Sequence, residues 1–299
     1  MPLSLVTWNL KDFFDPRDEE ERAYFAARVA HLGPRLRALD PDVIALEEVG
    51  SGAVVAALLD AAGLGRHSTR ILGSADARGI RNAIATRLPL VGGGVLTADA
   101  LEFPRFHVAD PEPFPGRIPL RRGVPHARVQ APGIGPVDVL ACHFKSQRAV
   151  ALQGLEGPVE DASAAGRAAG ELRSLVWRAA EALFVRTACD RLLEGRADGQ
   201  VVVLGDLNAT PDAMPLRVLR GGGAFALSDL SRAVPVAERF SIVHEGAREQ
   251  IDHALATAGL AARVQTVRFA NTELRDHGAL AEGERPLDSD HAALFVQLR

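Results

Sequence analysis

The sequence predicts an α/β fold built in layers, on three observations. Short apolar runs rich in β-branched residues outnumber helical stretches, the two alternate irregularly, and no shift in composition divides the 299 residues. One-for-one βα alternation would read as a doubly wound parallel sheet, whereas irregular alternation points to sheets and helices in separate packed layers. One catalytic-size domain over residues 1–299 is therefore expected.

Each element has its own signal. Residues 3–9 read as a first strand and residues 42–48 (DVIALEE) as a second. Between them Phe25, Val29, Leu32, Leu36 and Leu39, at spacings of 4, 3, 4 and 3, mark one face of a helix. Pro34 lies inside that helix and should kink or split it. Residues 52–62 form a second helix candidate, and residues 82–86, 127–130 and 137–143 read as short strands. Residues 170–193 read as a long helix with Leu172, Val176, Ala179 and Leu183 as its apolar stripe. Strands follow at 201–204, 250–256, 262–269 and 292–298. Residues 103–125, with six prolines, and residues 148–169, rich in Ala, Gly and charge, read as surface loops.

Composition narrows the function classes. Hydrophobic residues make up 47% and charged residues 24%, as in globular proteins that live in water. The net charge of −4 argues against a strong overall attraction to nucleic acid or anionic membrane, although a local basic cleft or a bridging metal can act alone. Cys142 and Cys189 form neither a CxxC pair nor a disulfide framework, which suits a reducing compartment. The opening MPLSLVTWNL has no basic region followed by a long apolar core, so a cytoplasmic location is expected. No apolar run reaches spanning length, so no integral membrane association is expected, and a monomer is.

The strand ends carry the chemistry. In VVVLGDLNATP, residues 201–211, an apolar run ends on Asp206 and Asn208, which alternation would point the same way if the strand continues and which are ordinary turn residues if it does not. The pattern recurs: Asn9 after LSLVTW, Glu47 and Glu48 after DVIAL, His143 after VDVLAC, Asp252 and His253 after QI, and Ser289, Asp290 and His291 before AALFV. Carboxylates, carboxamides and imidazoles gathered along one edge of packed sheets suit metal-assisted phosphoester hydrolysis. A hard cation such as Mg²⁺ takes carboxylate oxygens, water and phosphate. A histidine oriented by a carboxylate can deprotonate water, and further donors can neutralise the charge on phosphorus. There is no HExxH, no cysteine cluster, no GxxxxGK[ST] loop and no GxSxG elbow.

In order, TWNL, DVIALEEV, HFKS, GDLN, IDH and SDH resemble the motif series of the endonuclease/exonuclease/phosphatase superfamily, over nearly the whole chain from Thr7 to His291. The resemblance implies a four-layer α/β sandwich: two mixed β-sheets packed face to face and flanked by helices. It implies Glu48 as principal metal ligand with Asn9 and Asp290 near the metal, His291 as the base and Asp252 as its orienting carboxylate. Asp206 would orient the nucleophile or handle a proton, and Asn208 and His143 would hold the scissile phosphate, with Arg78 and Lys145 as further phosphate contacts. The cofactor would be Mg²⁺, with Mn²⁺ or Ca²⁺ as alternatives.

Two positions depart from the family pattern. Glu47 stands where the family usually has Gln, and alternation should send Glu47 and Glu48 to opposite faces, leaving one at the surface or in a salt bridge. His143 has no upstream carboxylate in RGIRNAIA to pair with. Trp8 and Cys142 read as core, His253 as structural, and His31, His67, His107, His126, His244 and His277 as surface or capping residues.

The expected function is a divalent-metal-dependent phosphodiesterase, foremost a nuclease on DNA or RNA. The alternatives are a phosphatase or sphingomyelinase-like lipid phosphodiesterase on small phosphoesters and, behind these, a non-catalytic binding scaffold. Against nucleic acid stand the acidic charge and the lack of an aromatic-basic patch in the sequence; in its favour, Arg105, Arg117, Arg121 and Arg122, with Lys145 and Arg148, could line one groove.

Overall fold

The computed structural model describes residues 2–102, 118–152, 163–196 and 198–299. Strands are β1 (Leu3–Phe13), β2 (Val43–Val49), β3 (Thr69–Leu72), β4 (Arg81–Thr86), β5 (Leu90–Leu96), β6 (Val124–Ala131), β7 (Gly135–His143) and β8 (Gln200–Asp206). They continue with β9 (Leu227–Asp229), β10 (Ile242–His244), β11 (Ala247–Glu249), β12 (Asp252–Thr257), β13 (Val264–Phe269) and β14 (Leu294–Leu298). Helices are α1 (Glu19–Leu39), α2 (Gly52–Ala61), α3 (Ala164–Leu193), α4 (Met214–Arg220) and the single turn α5 (Ala258–Ala261).

Two six-stranded sheets run in the orders β13-β14-β1-β2-β4-β3 and β5-β6-β7-β8-β12-β9, with β10 and β11 as a separate hairpin. Both sheets are mixed: β1 pairs parallel with β2 and β7 parallel with β8, and every other pairing in the two sheets is antiparallel. The helices lie outside, which makes the fold the four-layer α/β sandwich that the motif order implies.

Three apolar clusters hold these layers together. Between the sheets, Leu3, Leu5, Val43, Ala45 and Ile84 meet Val139, Ala141, Val202, Leu204, Ala254 and Ala256. On the outer face of the first sheet, Val6, Trp8, Ile44 and Leu46 pack under Leu32 and Leu36 of α1 and Val55 and Leu58 of α2. On the outer face of the second, Leu140, Cys142, Val201 and Val203 pack under Val185 and Cys189 of α3 and Leu216 and Leu219 of α4. Both faces of the central strands are thus buried, which is why they read as continuous apolar runs rather than as polar–apolar alternation.

Three expectations about elements change. Helix α1 runs unbroken from Glu19 to Leu39 through Pro34, so the helix is not split there. Asp18 caps its start by accepting from the Glu21 N–H, and buried Gly33, Leu32 and Leu36 seat it on α2, contacts that outweigh the one backbone bond a proline removes. Helix α3 begins at Ala164 rather than residue 170, capped by Ser163, because the alanines that resemble loop composition are also the strongest helix formers. Strand β5, LVGGGVL, has no strand signal in the sequence because three consecutive glycines oppose one; it lies on a sheet edge and is mostly exposed. Of the expected loop at 103–125, residues 103–117 lie outside the described residues, as do 153–162 of the loop expected at 148–169.

Candidate active site

The inter-sheet core sets the parity of the site. On β1, Leu3 and Leu5 face inward, so Asn9 does too; on β7, Val139 and Ala141 carry His143 inward; on β8, Val202 and Leu204 carry Asp206; on β12, Ala254 and Ala256 carry Asp252. Register then aligns them: His143 lies opposite Asp206 and Asp206 opposite Asp252 on three neighbouring strands, with Asn9 opposite Glu47 on the facing sheet. The sheets meet where Asn9 Nδ2 donates to Asp206 Oδ2 at 3.0 Å. At one end of the sandwich, the apolar ladder between the sheets is replaced by a polar one.

His291 enters this ladder from the segment before β14. Its Nδ1 lies 2.8 Å from Asp252 Oδ2, and both residues are buried. Its backbone is fixed on both sides: the N–H donates to Ser289 Oγ at 3.0 Å, and the carbonyl accepts from Trp8 Nε1 at 2.9 Å. Trp8 is buried as expected, and its indole N–H also anchors the histidine. His291 Nε2 stands 3.9 Å from both Asp206 Oδ2 and Asp290 Oδ1. Burial acts to lower the imidazole's pKa, but Asp252, Asp206 and Asp290 together outweigh it and raise it above the ordinary histidine value. Burial raises Asp206, against the opposing pull of His291.

His143 does have carboxylate neighbours. Its Nε2 is 3.4 Å from Asp206 Oδ2 and 3.9 Å from Glu48 Oε1, partners supplied across strands rather than from RGIRNAIA. Burial, and then Arg122, hold its imidazole well below the usual value. Asn208, at φ 49°, follows directly: its backbone N–H donates to Asp206 Oδ1 at 2.9 Å, and its Nδ2 donates to Asp206 Oδ2 and to the Phe144 carbonyl, each at 3.1 Å.

Glu47 and Glu48 do not obey alternation. Glu48 has φ 61°, and the β1–β2 and β2–β4 registers both shift there. This bulge turns Glu48 back toward the site, where Oε1 accepts from Asn9 Nδ2 at 3.4 Å and Oε2 from the Asp12 N–H at 2.9 Å. Glu47 is neither at the surface nor in a salt bridge. It is fully buried between the sheets, with Oε1 accepting from Thr7 Oγ1 at 2.8 Å and Oε2 without a partner among the described residues. Burial, reinforced by Asp252, raises its pKa far above the carboxylate range.

Other side chains frame the site. Lys11 Nζ donates to Asp290 Oδ2 at 2.6 Å, a contact with no sequence signal beyond Lys11 being one of two lysines in the chain. Lys11, Asp12, Glu48 and Asn208 all have positive φ, so backbone strain gathers here. Arg78 is exposed, and with Lys11, Asp12 and Asp290 it lines a cavity of about 960 Å³ whose walls include Phe14 and Tyr24. The Lys145 ammonium is held by Ser146 O at 2.8 Å, Ser146 Oγ at 3.0 Å and Arg148 O at 2.7 Å, not by site residues. Among the other histidines, His67 is no surface residue: it is fully buried with both ring nitrogens on backbone carbonyls, and His107 lies outside the described residues. His253 faces away from the site, bonded to Ala209 O at 2.8 Å and Gln250 Nε2 at 3.0 Å.

A family model described as the endonuclease/exonuclease/phosphatase family matches residues 6–291. The chain belongs to this family. Endonuclease/exonuclease/phosphatase proteins are divalent-metal-dependent phosphoric ester hydrolases, and the chain is an enzyme of that class. No curated protein sequence matches it. Solved structures with the same fold include TDP2 from D. rerio complexed with a single-strand DNA product, at 17% identity and TM-score 0.62, covering 100% of this chain and 99% of that one. An endonuclease/exonuclease/phosphatase from Beutenbergia cavernae is 20% identical with TM-score 0.58, covering 100% of this chain and 71% of that one. An AP endonuclease from Archaeoglobus fulgidus is 15% identical with TM-score 0.57, covering 99% of each chain.

The donor set fits the metal that this family requires. Among the described residues Asp290 Oδ1 is buried without a hydrogen-bond partner, and the Glu48 carboxylate, partly open to solvent, accepts only from Asn9 and a backbone N–H. Asp206, Asp252 and His291 also bring ligand atoms within 4.8 Å of one another, but His291 Nδ1 and Asp252 Oδ2 are already spent on each other. Hard cations prefer oxygen donors, which favours the Glu48 and Asp290 side of the site.

Proposed function

We propose that the chain is a Mg²⁺-dependent phosphodiesterase acting on nucleic acid, working as one catalytic domain. The observation that carries this reading is the buried 2.8 Å pair of His291 Nδ1 and Asp252 Oδ2, opening onto Asp206 on the strand beside Asp252. Asp252 accepts a hydrogen bond from Nδ1–H and so fixes the tautomer, which leaves Nε2 to take a proton from water. The water oxygen then forms a bond to phosphorus as the bond to the leaving oxygen breaks. Nε2 of His143, 3.4 Å from Asp206 and 3.9 Å from Glu48, would donate to a non-bridging oxygen. Asn208 braces Asp206 and would exchange one of its two Nδ2 bonds for a phosphate oxygen. Glu48 and Asp290, with Asn9 beside them, would hold Mg²⁺, or Mn²⁺ or Ca²⁺ in its place. The bound cation would neutralise charge building on the phosphate oxygens.

Purified protein assayed with each cation against plasmid, single-stranded DNA, RNA, bis-p-nitrophenyl phosphate and phosphomonoesters tests the reading. Cleavage of the diesters that EDTA abolishes and added metal restores is the expected result. Full turnover in metal-free buffer contradicts the mechanism, and turnover of phosphomonoesters alone replaces it with a phosphatase.

A further inference from the structure

Folding assembles a basic-aromatic cleft that the sequence does not display. Arg121, from the loop before β6, places its guanidinium 5.3 Å from the ring centroid of Trp177 on α3. The indole N–H donates to the Pro119 carbonyl at 3.2 Å, which anchors the ring while leaving it partly exposed. Together with Ala77, Leu120 and Lys145 they line a cavity of about 450 Å³. Arg121 has no ion-pair partner among the described residues, so its charge is open to a ligand.

The cleft joins the reaction site through its floor. Asp76 accepts from the Arg78 N–H at 2.8 Å and from Arg122 Nε at 3.2 Å. Arg122 Nη1 in turn donates to the carbonyls of His143 at 3.2 Å and Phe144 at 3.3 Å, and the Phe144 carbonyl also accepts from Asn208. The cleft therefore begins one residue from the pair proposed to hold phosphate. In a chain of net charge −4, it gathers Arg121, Arg122, Lys145 and Arg178 around buried Asp76 and Glu181. A partly exposed aromatic ring beside Arg121, which has no ion-pair partner among the described residues, matches one ligand chemistry: an unpaired base with its flanking phosphates.

We infer that this cleft binds the nucleotide next to the scissile phosphate, its base stacked on the Arg121–Trp177 pair and its outer phosphate against Arg121, so that the substrate is single-stranded at that position. A base still in a duplex has no free face to offer the indole. The inference rests on the nuclease reading above and adds to it the strand form and the residues that select it.

The test compares a 12-nucleotide single strand, the same sequence as a duplex, and bis-p-nitrophenyl phosphate, which carries neither a nucleobase nor a flanking phosphate. Full-length wild type, Trp177→Ala, Trp177→Phe and Arg121→Gln are assayed with Mn²⁺. The expected result is that Trp177→Ala lowers the ratio of kcat/KM for the single strand to that for bis-p-nitrophenyl phosphate roughly tenfold or more. Trp177→Phe should restore most of that ratio, Arg121→Gln should lower it with a weakened salt dependence, and wild type should prefer the single strand to the duplex. Wild-type cleavage of the single strand with the ratio unmoved in all three variants overturns the inference and leaves the nuclease reading standing. Equal losses on both substrates overturn it as well, by assigning Trp177 to the fold. Hydrolysis of bis-p-nitrophenyl phosphate without cleavage of any nucleic acid removes the nuclease reading and this inference together.

Discussion

His143 and Asp206 stand opposite each other across the parallel β7–β8 pair, with Nε2 and Oδ2 3.4 Å apart. Their closeness depends on Gly205, at φ 142°, whose backbone lies so near β7 that a Cβ would fall 1.8 Å from the Cys142 carbonyl oxygen. Gly205→Ala should therefore part these strands and cost on the order of 3 kcal/mol or more. Urea unfolding measures this directly; a loss under about 1 kcal/mol would mean that the strands accommodate the methyl group and that the glycine does not set the spacing.

Glu47 and Glu48 should separate in function although they are adjacent. Glu47 is buried with only Thr7 Oγ1 on its carboxyl among the described residues, and burial raises its pKa, so it is a poor anionic ligand and Glu47→Gln should leave Mn²⁺ affinity within a few-fold of wild type. Glu48→Gln should weaken it by roughly tenfold or more, as expected for the loss of a charged oxygen ligand. Isothermal titration calorimetry ranks the two, and the reverse order would move the ligand role to Glu47.

Burial holds Glu181 up to about 7, against an ordinary value of 4.5, although it accepts from the Lys145 N–H at 2.7 Å. Between those two values the unfolded chain ionises and the folded chain does not, so Glu181's contribution is fully present below pH 4.5 and is lost as pH rises through 7. Glu181→Gln should therefore gain on wild type between pH 5 and pH 8 by up to about 3 kcal/mol. Parallel denaturation curves for the two proteins at both pH values would show instead that Glu181 is ionised in the fold.

Much of the site was legible because parity survives folding. Asn9, His143, Asp206 and Asp252 share the parity of their strands' inter-sheet residues, so alternation alone assigns their direction. It fails at Glu48, where positive φ reverses one side chain, a feature with no marker in DVIALEEV. Contacts between segments distant in sequence were equally silent: Asp206 beside His143, the Trp8 indole on the His291 carbonyl and Lys11 on Asp290 join residues that no local pattern pairs. The Arg121–Trp177 pair joins a loop to a helix 56 positions on, which is why the sequence shows no aromatic-basic patch. Elements were misread where composition misled, as at the alanines that open α3 and the glycines of β5.

The central claim is that His291 and Asp252 act as one proton-handling unit, and a double-mutant cycle on turnover tests it most directly. Single-turnover rates on bis-p-nitrophenyl phosphate at saturating Mn²⁺ would be taken for His291→Ala, Asp252→Asn and the double variant. Each single change should cost on the order of 10²–10⁴, the range for losing a positioned base. The double variant should lose little more than the worse single one, because the carboxylate acts only through the imidazole it holds at 2.8 Å. Losses that multiply would contradict the unit and leave Asp206, 3.9 Å from His291 Nε2, as the base.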